Sequence, residues 1–261
     1  MDQYKPPGRR SFWLGLVLLL STAQIAAQPE INGPDPFDSP LWHTMHERFL
    51  SGGSYVFDPK IEVLTPAYAE DSLNVPVYFR AHGIERVLDI AVFADLNPIP
   101  MVLRFNPINI DPALAFSFKL QQSSPIRVAV LDEQGLWHIG TQWISAAGGG
   151  CTAPSVGMAS GNWTETFGAV SAGLFEQSSG NRLKMQIMHP MDTGLAEGIP
   201  RFHIEHLELK DPDTNVVLAE LQLFEPVSEN PLLSFDIGGK RNVVMSGFDN
   251  NANVFGAEIR Q

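Results

Sequence analysis

The chain has 261 residues, a formal net charge of −12, 44% hydrophobic and 18% charged residues, 22 glycines, 20 prolines and one cysteine. This composition excludes a disordered chain, and its many turn residues disfavour long helices. The negative charge argues against nucleic acid and anionic lipid as partners, and a single cysteine excludes an internal disulfide, a Cys-x-x-Cys redox centre and a c-type haem attachment.

Residues 1–27 have the layout of a secretory signal peptide. Lys5, Arg9 and Arg10 form a basic start, Phe12 to Leu20 is apolar, and small residues precede a cleavage point after Ala27. The apolar run is shorter than the ~20 residues of a membrane span, so no stable membrane insertion is expected after cleavage. Arg9-Arg10-Ser11-Phe12 also fits a twin-arginine address, although the strongly apolar run favours the general secretory route into the periplasm. Cleavage removes three basic residues and one acidic residue, which moves the net charge to −14.

Residues 28–59 are an extension with one helix. Ser39-Pro40 offers a cap and a first helical residue, Trp42, Met45, Phe49 and Leu50 share one face, and Ser51-Gly52-Gly53-Ser54 ends it. From residue 60 short runs of β-formers follow one another through Trp137 to Ile144, separated by Asn-Pro, Asp-Pro and Ser-Pro breakers. Residues 60–150 therefore predict a β-sandwich. Residues 145–180 are rich in Gly, Ser, Ala and Thr, and 151–180 reads as a loop and linker. Alternating strands resume in residues 181–261, among them Arg182 to Met188 and Phe202 to Leu209. The predicted fold is all-β: two immunoglobulin-like sandwiches, each with its own core, and a short N-terminal helix.

The cysteine is the residue with chemistry to explain. Cys151 follows Gly148, Gly149 and Gly150 and precedes Thr152-Ala153-Pro154, which predicts a mobile, exposed loop presenting a reactive thiol. An exported lone thiol is either used or buried and inert. Other clusters read as structure. His189 lies among Met185, Met188 and Met191, a set that suits copper on paper, but the block reads as structural. His43 and His46 stand three apart on the helix. His203 and His206, three apart on a strand, face opposite ways. Asp249, Asn251 and Asn253 resemble the start of a calcium loop but lack its glycine and its closing glutamate, and so predict a hairpin turn. Asn162-Trp163-Thr164 matches a glycosylation acceptor. No nucleophile elbow, phosphate loop or dinucleotide fingerprint is present. The sequence assigns no catalytic residue, metal or cofactor.

Glu70 to Val77, Asn97-Pro98-Ile99-Pro100 and the strand running into Gly148-Gly149-Gly150-Cys151 resemble SoxY, the carrier subunit of bacterial sulfur oxidation. His189-Pro190-Met191-Asp192-Thr193-Gly194, Ile199-Pro200-Arg201 and Ser228 to Phe235 resemble SoxZ, its partner subunit. The resemblance covers roughly residues 60–154 and 181–261. It implies a fused SoxYZ-like carrier that is not an enzyme, with Cys151 as the covalent attachment point and Gly148, Gly149 and Gly150 as its arm. Implied partners are periplasmic redox or hydrolytic enzymes of thiosulfate oxidation. Related fused proteins accompany quinoprotein dehydrogenases, so a non-covalent accessory role in such an alcohol dehydrogenase system is the alternative. The chain departs from the family pattern in having Thr152-Ala153-Pro154 after the cysteine, and in carrying that cysteine inside the chain rather than at its end.

Overall fold

The computed structural model describes residues 1–2, 30–155, 163–178, 180–239 and 242–260. Most of the expected signal segment, part of the expected linker and Asn162 lie outside these. No described helix is long and apolar enough to cross a membrane.

Helix α1 spans Trp42–Leu50 and buries Trp42, Met45, Phe49 and Leu50, the face expected from their spacing. The expected Ser39 cap does not form. Leu41 takes the N-cap position without a side-chain hydrogen bond, and the Ser39 N–H donates to Asp35 Oδ2 at 2.7 Å. The helix closes through left-handed Ser51 (φ 53°) and Gly52 (φ 64°), a common way to satisfy the last carbonyls.

Among the described residues, sixteen strands and one further helical turn follow. In the first half these are β1 (Tyr55–Phe57), β2 (Ile61–Leu64), β3 (Tyr68–Ala69), β4 (Val75–Ala81), β5 (Val87–Ala94), β6 (Met101–Asn106), β7 (Ala113–Phe118), β8 (Ser124–Asp132) and β9 (Trp137–Ala146). After α2 (Trp163–Thr166) come β10 (Val170–Gln177), β11 (Gly180–Ile187), β12 (Ile204–Lys210), β13 (Val217–Leu223), β14 (Leu232–Asp236), β15 (Asn242–Asp249) and β16 (Val254–Arg260). They form two sheets, one ordered β1-β9-β8-β5-β6-β13-β12-β15-β16, with β3 also pairing β9, the other β10-β11-β14-β7-β4-β2.

Both sheets run without a break from the first half into the second. β6 pairs antiparallel with β13, Phe105 opposite Leu221, and β7 pairs with β14, Ala115 opposite Ser234. The sequence predicted a separate core for each half. Instead one apolar cluster includes Phe79, Phe105 and Phe118 together with Leu221, Leu233 and Phe235, and the rings of Phe105 and Phe235 lie 6.0 Å apart. Strand β10 falls in the stretch expected to be linker. It is an edge strand, mostly exposed, held to β11 by its backbone ladder, so its composition carries no inward-outward alternation to read.

β8 is buried along almost its whole length because α1 covers its outer side. A second apolar cluster there joins Trp42, Met45 and Phe49 to Phe93, Ala129 and Ile139. At its edge the fully buried Arg127 pairs with Asp35 of the extension and with Asp95, at 2.5 and 2.8 Å, and lies 5.0 Å from the Trp42 ring. These contacts fasten the N-terminal extension to the first half.

Candidate functional site

The segment after β9 turns back across the start of its own sheet. Gly148 and Gly149 have φ of 102° and 92°, a region that glycine enters without steric cost. The Gly149 N–H donates to Gln121 O at 3.2 Å and the Gly150 N–H to Leu120 O at 3.3 Å. A Cβ on Gly150 would lie 2.1 Å from Ser72 O and 2.7 Å from Leu120 O. Only glycine lets the chain come this close, so the glycine run fits a groove rather than loosening a tail.

This path places Cys151 inside. The residue is 0% exposed, where the sequence predicted an exposed loop. Its N–H donates to Gln121 Oε1 at 3.1 Å, its Sγ–H to Lys119 O at 3.4 Å, and its carbonyl accepts from Thr193 Oγ1 at 2.6 Å. Four residues on, Ser155 donates its N–H and hydroxyl to Asp192 at 2.9 and 3.1 Å. The arm belongs to the first half, while the residues that clamp its far side belong to the second.

The clamp is itself rigid. Met191 adopts φ 53° and its N–H donates to His189 Nδ1 at 3.0 Å. His189 therefore carries its proton on Nε2, which faces Asp249 Oδ2 at 3.4 Å. The ring packs 4.5 Å from Phe202 and 5.4 Å from Phe167. Met191 Sδ accepts from the Ile204 N–H at 3.3 Å. With both imidazole nitrogens engaged, the His189 ring offers no free lone pair to a metal.

Lys119 lies under the thiol, only 3% exposed. Its ammonium donates to Met191 O and Glu225 O. Burial pushes its pKa down to about 8, against the pull of Asp192, Cys151, Glu229 and Glu225. Burial pushes the Cys151 thiol up to about 11, with Lys119 and a Gln121 hydrogen bond opposing. At neutral pH about one thiol in ten thousand is then ionised in this position. Burial likewise drives His189 down to about 4. As placed, the thiol is buried and almost wholly protonated.

The other sequence candidates lie elsewhere. His203 is buried, and its Nδ1 has no hydrogen-bond partner among the described residues. His206 stacks on Phe248 at 5.5 Å. Asp249 accepts from the Asn251 and Asn253 N–H groups at 2.8 and 3.0 Å and closes the expected hairpin turn. Sequence reasoning missed Ser72, Lys119 and Gln121 because no local spacing ties them to a cysteine 30 or more residues away. Asp192 and Thr193 stood in a block noted only for its resemblance.

Comparison with known proteins places these halves. A family model described as sulfur oxidation protein SoxY matches residues 46–151, ending on the cysteine. A second, described as sulphur oxidation protein SoxZ, matches residues 176–260. Among solved structures, the sulfur carrier protein SoxY from Chlorobium limicola f thiosulfatophilum is 19% identical over 40% of this chain and 88% of that chain, with a TM-score of 0.35. No curated protein matches the chain.

Proposed function

Because this chain is a SoxY-family domain followed by a SoxZ-family domain, we propose that it is a periplasmic carrier that holds a sulfur-containing intermediate covalently on Cys151 and presents it to separate enzymes. The observation that carries the reading is the closed arm. A carrier thiol needs a segment that can both dock and leave. Residues 148–151 dock chiefly through hydrogen bonds to Leu120, Gln121, Lys119 and Thr193, and water can replace these on release.

The arrangement also fits the chemistry of attachment. Forming an S–S bond between the Cys151 thiol and the terminal sulfur of thiosulfate releases one proton and two electrons. A single cysteine leaves no internal disulfide to accept those electrons, so the acceptor belongs to a partner enzyme. When the arm leaves, the desolvation that holds the thiol near 11 disappears, and its pKa returns toward the ordinary range. Closed, the arm guards the thiol against stray oxidation; open, it offers a nucleophile. Residues 1–27 serve export in this reading.

The test is the intact mass of the mature protein from its native compartment, before and after a thiol reductant. A sulfur-containing adduct that reductant removes and that Cys151→Ser lacks is the expected result. An unmodified mass under all sulfur-oxidising conditions, with Cys151→Ser fully functional, overturns the carrier reading.

A further inference from the structure

Helix α1 carries a second cluster with unused chemistry. His43, His46 and Glu47 occupy positions i, i+3 and i+4, one face of the helix. One donor atom from each lies within 4.8 Å of the others. His43 and Glu47 are exposed, while the His46 side chain is 11% exposed.

The hydrogen bonds of His46 fix what its ring offers. Nε2 lies 2.7 Å from the Gly53 carbonyl, which can only accept, so Nε2 carries the proton. The lone pair of the neutral ring is then on Nδ1, which lies 4.0 Å from Glu47 Oε1. An imidazole lone pair and a carboxylate, both acceptors, thus converge among the described residues. A histidine oriented by a carbonyl on its far nitrogen is the usual second layer of a metal site. The ring is held in place, stacked on Trp42 at 5.8 Å and edge-on to Tyr55 at 4.8 Å.

Two further features favour a cation here. His46 and Glu47 sit in the last turn of α1, where the carbonyl ends of the helix carry partial negative charge. The Glu47 carboxylate lies over Gly52, where an added Cβ would meet its oxygens at 3.0 and 3.1 Å, so the glycine leaves room for the carboxylate.

We propose that His43, His46 and Glu47 form a binding site for one divalent transition-metal ion of the zinc or copper(II) class. Two imidazoles and one carboxylate suit these borderline ions, and three protein ligands leave a position open to water or to a donor from a docking protein. A bound ion would tie the helix end to the turn at residues 51–53. The sequence alone assigned no metal here, because two histidines three apart on a helix are common and the Gly53 contact is invisible in it. This site is independent of the carrier reading.

The test is calorimetric titration of the mature protein with zinc chloride, in a Cys151→Ser background that removes the thiol as a competing ligand. The expected result is one equivalent bound, with affinity falling at least ~10-fold in His43→Gln and in Glu47→Gln. Both side chains are exposed, so neither change threatens folding, and unchanged thermal unfolding of the metal-free variants checks this. The absence of saturable binding, or binding that both variants retain at full strength, overturns the proposal.

Discussion

Two buried cations, Arg127 and Lys119, are compensated in opposite ways. Arg127 is enclosed by two carboxylates in direct contact. Burial opposes its charge, but the hydrogen bonds it donates to Asp35 and Asp95 outweigh burial, and its pKa is raised. Lys119 has backbone carbonyls as its direct partners, and burial wins. The first is a permanent fastening of extension to sandwich. The second is a poorly compensated charge beneath a buried thiol, one that water would relieve if the arm opened as proposed.

The largest effect should come from breaking the fastening. Arg127→Met leaves Asp35 and Asp95 buried without their partner, and should cost about 3–5 kcal/mol in urea unfolding. A loss below ~1 kcal/mol would show that the extension is not fastened through Arg127.

Acid should act next, on the clamp. The folded pKa of His189 is near 4, while the unfolded ring titrates near its ordinary 6.5. Between these values the unfolded chain binds the extra proton, so stability is complete above pH 6.5 and falls as pH drops toward 4. His203 is shifted in the same direction, also by burial. In pH-dependent unfolding, His189→Gln should remove up to one proton from the slope in this window. An unchanged slope would mean that His189 is not the titrating group.

Gly150→Ala should spare the fold and release the arm. A Cβ facing two backbone carbonyls costs roughly 1–3 kcal/mol against closure, which predicts alkylation of Cys151 roughly 5- to 150-fold faster than in the parent. An unchanged rate would show that the groove does not limit access. The smallest effect is expected from Thr193→Val. It removes the hydrogen bond to the Cys151 carbonyl, worth about 1 kcal/mol, and should speed alkylation several-fold.

The sandwich strands were legible because their side chains alternate: Leu183, Met185 and Ile187 point inward, and Lys184 and Gln186 outward. The joining of the halves was not, since β6 and β13 pair through backbone groups that any two edge strands could offer. Cys151 was legible as the residue of interest from its glycine run. Its burial was not, because that depends on the carbonyls of Ser72 and Leu120 and on Thr193, brought in from three remote stretches of chain. A glycine run reads equally as a hinge or as a close-fitting strap, and only the surfaces on either side decide.

The continuity of both sheets has a consequence for how the arm behaves in solution. Because groove and clamp belong to one polypeptide with a common core, closing is a unimolecular event. The proportion of shut arms cannot be changed by dilution, as it would be if the clamp arrived on a separate subunit at its own concentration. Such a carrier would keep its thiol shielded to the same degree when scarce as when abundant.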